Sequence, residues 1–463
     1  MSGMSGLKGK TIVLGITGGI SAYKAAEVCR LLVKAGATVR VVMTAAAARF
    51  ITPLTMQTLS AGPAALDLFD TDEEARIGHI RLGDEADLIV VAPATADAIA
   101  RFAAGSAGDL LAAIILASRA PVVLAPAMNV NMWKNPITQQ NLGRLLGFSR
   151  FTAVGPDAGD LACGWVGEGR LIEPAEIVAA VARVLAPQDL AGRRIVVTAG
   201  PTFEPIDDVR FLGNRSSGKM GFAIAEAAAR RGATVTLIAG PVALAMPPGG
   251  GISRKNVETA AEMRAALLAT LPQADVVVMA AAVADFRPAA RVAGKLSRRA
   301  LAGVGSPASA RDAASALLSL SLTANPDILA EVSRERRGGR PWVVGFSAEI
   351  ATDARDLVAR AAKKLSEKNC DVMIANDVGT AAIGFDSDDN AVTLVFSDGT
   401  SESLARAPKP EIAELIWDRL VHRLPHDARP VPGARAGEPR PPRRGTGVRP
   451  AVRQASATRG RRA

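Results

Sequence analysis

Cysteine is scarce in this chain of 463 residues: only Cys29, Cys163 and Cys370 are present. An odd number at wide spacing excludes a disulfide framework and predicts reduced thiols in a cytoplasmic setting. Long apolar runs are also missing. None approaches the ~20 residues that a membrane helix requires, so no membrane partner is expected even though 49% of the residues are hydrophobic. Residues 1–10 have neither the apolar stretch nor the small-residue cleavage site of a signal peptide, which predicts no export. Histidine is equally sparse, His79 being the only one before His422. Aromatic residues make up 4% of the chain, and residues 424–463 contain none. That argues against a nucleic-acid arm there, because such arms stack bases on aromatic rings.

The length itself points to two domains, since single hydrophobic cores stop growing near roughly 250–300 residues. The net charge of +10 is unevenly spread: residues 424–463 hold ten arginines against Asp427 and Glu438, which leaves only +2 for the rest. That tail is rich in Pro and Gly and poor in large apolar residues. It cannot bury enough surface to offset the entropy of ordering, so a disordered, solvated extension is expected.

Residues 10–18 form an apolar, β-branched run ending in glycines, residues 21–34 follow a helical period, and residues 38–43 read as a second strand. Further strands are expected at 88–92 and 121–125, a helix at 173–185 and a linker at 187–192. The pattern then restarts, with a strand at 194–199, a helix at 218–231 and a strand at 233–239. Two echoes join the halves: Ala35-Gly36-Ala37-Thr38-Val39 returns as Arg231-Gly232-Ala233-Thr234-Val235, and residues 86–91 parallel 274–279. The fold class expected is α/β, with two doubly wound, Rossmann-like parallel sheets in domains 1–186 and 193–423. Ligands of such sheets sit beyond the carboxyl ends of the strands, which directs attention to the loops.

In the first half, Gly15-Ile16-Thr17-Gly18-Gly19-Ile20-Ser21 follows a strand and opens a helix, where backbone amides can approach an anion. His79 is a candidate acid or base. Pro126-Ala127-Met128-Asn129 follows a buried strand, and Cys163 sits in the glycine-dense run 162–170. Together with residues 92–97, these motifs resemble the flavin-dependent cysteine decarboxylases, specifically phosphopantothenoylcysteine decarboxylase, over residues 10–185. The resemblance implies a flavoprotein-like first domain. FMN would be held by Gly18, Gly19, Ser21, Thr44, Pro93, Ala94 and Thr95, and would take electrons from the cysteine moiety of the substrate. The thioaldehyde so formed loses carbon dioxide, and the ene-thiol is then reduced. His79 would assist the oxidation as a base, Asn129 would hold the substrate carboxylate, and Cys163 would donate the final proton.

In the second half, the residues from Thr198 to Arg210 lead into Asn214-Arg215-Ser216-Ser217-Gly218-Lys219-Met220-Gly221. Hydroxyls, glycines and cations gathered at a helix start suit a phosphate or carboxylate, although the order is not that of a Walker loop. Lys364 and Lys368 are four apart, on one helix face, and could clamp a polyphosphate. With residues 281–288, Lys295, the run 325–329 and Phe346, this half resembles phosphopantothenate-cysteine ligase. Its order behind the decarboxylase matches the bifunctional coenzyme A biosynthesis proteins of bacteria.

That resemblance implies that CTP, with Mg2+ or Mn2+, activates 4'-phosphopantothenate as an acyl-cytidylate that L-cysteine then attacks. Asn214 and Arg215 would bind the substrate, with Asn214 stabilising the acyl intermediate, and Lys295 would neutralise charge on the nucleotide. Ala281, Ala282, Asp285, Pro326, Asp327, Ile328, Leu329, Phe346, Lys364 and Lys368 would line the CTP site. The sequence departs from the family at Lys295-Leu296-Ser297-Arg298, which keeps one lysine of the usual Lys-x-Lys-Lys, at Asp208, and in the long Ala/Ser-rich segment 300–316. A homo-oligomer is also implied, with trimeric decarboxylase contacts and dimeric ligase contacts that multiply to a dodecamer. The competing readings are a binding subunit without turnover and a nucleic-acid binder acting through the tail.

Overall fold

The computed structural model of the protein describes residues 7–67, 78–160, 166–247, 250–295, 320–379 and 387–425. Cys163, the segment 300–316 and the expected disordered tail from residue 426 onward lie outside the described residues. Six strands make the first sheet: β1 (Thr11–Ile16), β2 (Thr38–Met43), β3 (Ala64–Ala65), β4 (Leu88–Ala94), β5 (Val122–Pro126) and β6 (Phe151–Ala153). All pair in parallel, in the order β3-β2-β1-β4-β5-β6. Ile12, Leu14 and Ile16 of β1 enter one core with the helices Ala25–Lys34 and Pro174–Leu185. Val13 points the other way, toward the helices Ala96–Ala104 and Leu110–Ala117. Burial on both faces is why these strands read as continuous apolar runs rather than alternating ones. A hairpin of β7 (Asp157–Asp160) and β8 (Val166–Arg170) follows the sheet.

The second half continues with β9 (Arg194–Ala199), a hairpin of β10 (Phe203–Pro205) and β11 (Phe211–Gly213), β12 (Thr234–Ala239), β13 (Ile252–Asn256) and β14 (Val276–Met279). A second small hairpin, β15 (Phe286–Pro288) with β16 (Leu322–Ala324), precedes β17 (Trp342–Glu349), β18 (Val372–Asp377), β19 (Asp389–Phe396) and β20 (Ser401–Pro408). The large sheet runs β13-β12-β9-β14-β17-β18-β19-β20. Its first six strands are parallel and doubly wound as expected. The last two are antiparallel, a feature that the sequence reading did not foresee. For β20 the cause is local: only residues 397–400 separate it from β19, too few for the crossover that a parallel pair needs. Gly399 makes the turn in the left-handed region at φ 86°.

Both sequence echoes turn out to be devices of the fold. Gly36 and Gly232 have φ of 87° and 92° and turn the first helix of each sheet into its second strand. The carboxylates of Asp87 and Asp275 accept the N–H of Thr11 and Arg194, each at 2.8 Å, so each sheet's opening strand is pinned to the start of the neighbouring β4 or β14. The linker expected at 187–192 is held firmly: Leu190 is fully buried, and Arg231 Nε donates to Asp189 at 2.8 Å. Among the described residues, no helix is long and apolar enough to cross a membrane.

Candidate active site

Two cavities open at the carboxyl ends of the two sheets. At the first, the order reverses between β1 and β4, and the loops after these strands are tied together. The Thr17 hydroxyl donates to the Pro93 carbonyl at 2.7 Å, and the Thr95 N–H donates back to Thr17 Oγ1 at 3.2 Å. Thr95 also caps the helix Ala96–Ala104 by accepting the Ala98 N–H. A Cβ on Gly18 would lie 2.3 Å from that of Ala46, so only glycine lets the loops after β1 and β2 come this close. On the far wall the β7–β8 hairpin presses on the Pro126–Asn129 motif: the Met128 N–H donates to the Gly169 carbonyl at 2.9 Å. Any side chain at Gly169 would strike the Met128 carbonyl.

The cavity so enclosed measures about 720 Å³, within the range of pockets for cofactor-sized ligands. Gly18, Gly19, Ser21, Thr44, Thr95 and Asn129 line it, as the sequence reading expected. Asn129 caps the short helix Val130–Lys134, its Oδ1 accepting the Asn131 N–H at 2.8 Å. Pro93 and Ala94 do not line the cavity. They close β4 behind Thr17, and Ala94 is fully buried. His79 does not reach it within one chain either, because it opens the helix His79–Glu85 elsewhere in the fold. The sequence reading missed Tyr23, Lys24 and Met132, which complete the wall. Tyr23 and Lys24 lie on the expected helix just after the glycine-rich loop, whereas Met132 fell in no motif that it singled out.

The second cavity measures about 590 Å³. It gathers Asn214 and Arg215 with Ala281, Ala282, Asp285, the stretch Pro326 to Leu329, Phe346, Lys364 and Lys368. Asn214 reaches it because its side-chain N–H donates to the Val283 carbonyl at 2.8 Å, fastening β11 to the loop after β14. That loop is itself held by Thr198 and Thr202, whose hydroxyls accept the N–H groups of Ala281 and Ala284. Asp327 caps the helix Ile328–Glu335 by accepting the Ala330 N–H at 3.0 Å and pairs with Lys368. Burial raises the Asp327 carboxyl, but the hydrogen bonds from Lys368 and the Ala330 N–H outweigh it and hold the group below the usual carboxylate range. Lys364 Nζ lies 2.6 Å from Glu349. That carboxyl is raised by burial, then lowered below its ordinary value by Lys364 and the Ser347 hydroxyl.

Lys295 is exposed and does not line this cavity. The preceding Gly294 donates its N–H to Asp208 at 2.9 Å, and Arg291 pairs with the same carboxylate at 2.8 Å, so the segment is anchored at the loop before β11. The altered Asp208 is therefore the residue that fixes where Lys295 begins. The sequence reading also missed Ser347, Asn390 and Lys409, which line the cavity from strand ends and a helix start with no motif to mark them.

The geometry defines an α/β protein with a cavity at the carboxyl edge of each sheet, and residues 3–186 match the Flavoprotein family while residues 190–424 match the DNA/pantothenate metabolism flavoprotein C-terminal domain. A coenzyme A biosynthesis bifunctional protein of Vibrio cholerae is 46% identical over 419 residues, 90% of this chain and 99% of that protein. Its counterpart in Escherichia coli is 46% identical over 418 residues, 90% of this chain and 98% of that protein. A crystal structure of the C-terminal domain of such a protein aligns at 34% identity and a TM-score of 0.40, covering 51% of this chain and 98% of that one. The chain belongs to the family of coenzyme A biosynthesis bifunctional proteins.

Proposed function

We infer that the chain carries out two consecutive steps of coenzyme A biosynthesis: it ligates L-cysteine to 4'-phosphopantothenate with CTP, and then decarboxylates the product to 4'-phosphopantetheine with FMN. The observation that carries this reading is that one sequence, matching the family along both halves, builds two separate cavities of contrasting chemistry.

In the ligase cavity, the substrate carboxylate attacks the α-phosphorus of CTP and pyrophosphate leaves. Lys364 and Lys368 accept charge that would otherwise stay on the departing group. Divalent Mg2+ or Mn2+ accompanies the nucleotide. Asn214, fastened to Val283, positions the acyl group, and the amine of cysteine displaces CMP from it. Lys295, next to the Gly294 anchored on Asp208, neutralises charge on the nucleotide.

In the decarboxylase cavity, the residues fit an isoalloxazine and its phosphate: Gly18 and Gly19 admit close backbone approach, and Tyr23, Met128 and Met132 give apolar wall. FMN, when bound, supplies the two-electron acceptor. Asn129 holds the substrate carboxylate, and Cys163 delivers the last proton. His79 enters the reaction from a neighbouring subunit, which a homo-oligomer with trimeric decarboxylase contacts provides; dimeric ligase contacts would complete a dodecamer. We place the protein in the cytoplasm.

The test is incubation with 4'-phosphopantothenate, L-cysteine, CTP and Mg2+, followed by mass spectrometry. Appearance of 4'-phosphopantetheine and CMP is expected. A yellow protein that forms neither product would instead be a flavin-binding subunit without turnover.

A further inference from the structure

The ligase cavity contains more cationic side chains than the pair on the helix Ala354–Lys368. Lys219 and Lys409 also line it, and they come from the other side of the sheet. The helices that they open, Lys219–Arg230 and Lys409–Val421, bury Phe222, Ile412 and Ile416 in the core that holds Val197 of β9. The helix that carries Lys364 and Lys368 buries Leu357 and Ala361 in the opposite core, with Val196. The cavity therefore straddles the sheet edge with one cationic pole on each face.

The second pole is a built arrangement. Lys219 Nζ lies 2.7 Å from Asp388. Lys409 is 5% exposed and donates from Nζ to the Ser387 carbonyl, while its backbone N–H donates to the Asp388 carbonyl at 2.9 Å. The Asp388 carboxyl is held below its ordinary value by the hydrogen bond and charge of Lys219, and then by the charge of Lys409. Two cavity-lining lysines are thus held by the same short segment, Lys219 by the exposed carboxylate of Asp388 and Lys409 by the backbone carbonyl of Ser387. The exposed carboxylate of Asp388 is a weak competitor for Lys219, because exposed ion pairs contribute little. A ligand dianion would accept stronger charge-assisted hydrogen bonds.

We propose that Lys219 and Lys409 form a second phosphate subsite, separate from the Lys364 and Lys368 pole, with Asp388 as the counter-charge that the ligand displaces. The proposal rests on the ligase reading, in which both substrates bear phosphate. The shared chemistry is a phosphate dianion, coming either from the terminal phosphates of the nucleotide or from the 4'-phosphate of phosphopantothenate.

The test is calorimetric titration of the full chain with CTP, with 4'-phosphopantothenate and with unphosphorylated pantothenate. Lys219→Met is expected to weaken one phosphate-bearing ligand about tenfold while leaving the other within about twofold, and Lys219→Arg to restore most of the loss. A loss confined to CTP assigns the subsite to the nucleotide. A loss for phosphopantothenate, with pantothenate unaffected, assigns it to the 4'-phosphate. Lys409→Met should repeat whichever pattern appears; if burial makes that variant unfold, Lys219→Met still decides. Unchanged binding of both ligands in Lys219→Met, or an equal loss for pantothenate, overturns the subsite. Wild-type protein that binds neither CTP nor phosphopantothenate would sink the ligase reading itself, and the subsite with it.

Discussion

The two halves start from the same plan and end as opposite kinds of site. Each opens with a strand pinned by an aspartate from its neighbour, a helix, and a left-handed glycine that turns into the second strand. At the first sheet the edge is walled by Tyr23, Met128 and Met132, whereas the second draws lysines from both faces. One scaffold therefore builds an apolar-walled cavity or a lysine-lined one according to what the loops carry. The halves also differ in completeness. Nearly every residue assigned to the ligase lies around one cavity of one chain, while His79 stands away from the decarboxylase cavity.

That contrast can be broken most decisively at Asn214. Replacing it with alanine frees the tie to Val283 and removes the acyl contact, and we expect a loss of at least ~100-fold in ligation, read as CMP release, with flavin colour unchanged. Decarboxylation supplied with ready-made 4'-phosphopantothenoylcysteine should continue. The next largest effect tests completeness. His79→Ala and Asn129→Ala chains, each inactive in decarboxylation, should recover activity when refolded together, because an intact site can assemble from two subunits. No recovery would place His79 at its own chain's cavity, against the structure.

Salt should separate the halves more gently. Raising ionic strength from about 0.05 to 0.5 M contracts the screening length severalfold, so the KM for CTP should rise several-fold while flavin retention, followed by absorbance, stays constant. The smallest effect expected is on thiols. Burial pushes Cys29 and Cys370 up to about 11, so a thiol reagent at neutral pH should spare both. Labelling confined to Cys163 would sharpen the assignment of that residue.

The strands, the first helix of each half and most of the ligase lining were legible in the sequence because they rest on local signals: β-branched runs, glycine stops and a long polar loop. Lys409 was not. It belongs to the site only because an antiparallel hairpin, β19 with β20, returns the chain to the cavity mouth. The turn that allows this is four residues without an apolar pattern. Pro93 and Ala94 are the opposite case: a distinctive motif marked them, and in the structure they end a strand and do not line the cavity. His79 carried a plain chemical signal but no positional one, and in one chain it stands away from the cavity that its motif partners line.

Asp327 joins two duties in one carboxylate, finishing a helix and restraining Lys368. Its lowered pKa means that this contribution is present above the ordinary aspartate range, near pH 4, and is forfeited as pH falls through the lowered value. A ligand that claims Lys368 would leave the carboxylate with the helix alone. Occupancy of the cavity would then register as altered amide exchange at Ala330, a backbone reporter wired to a charge it never touches.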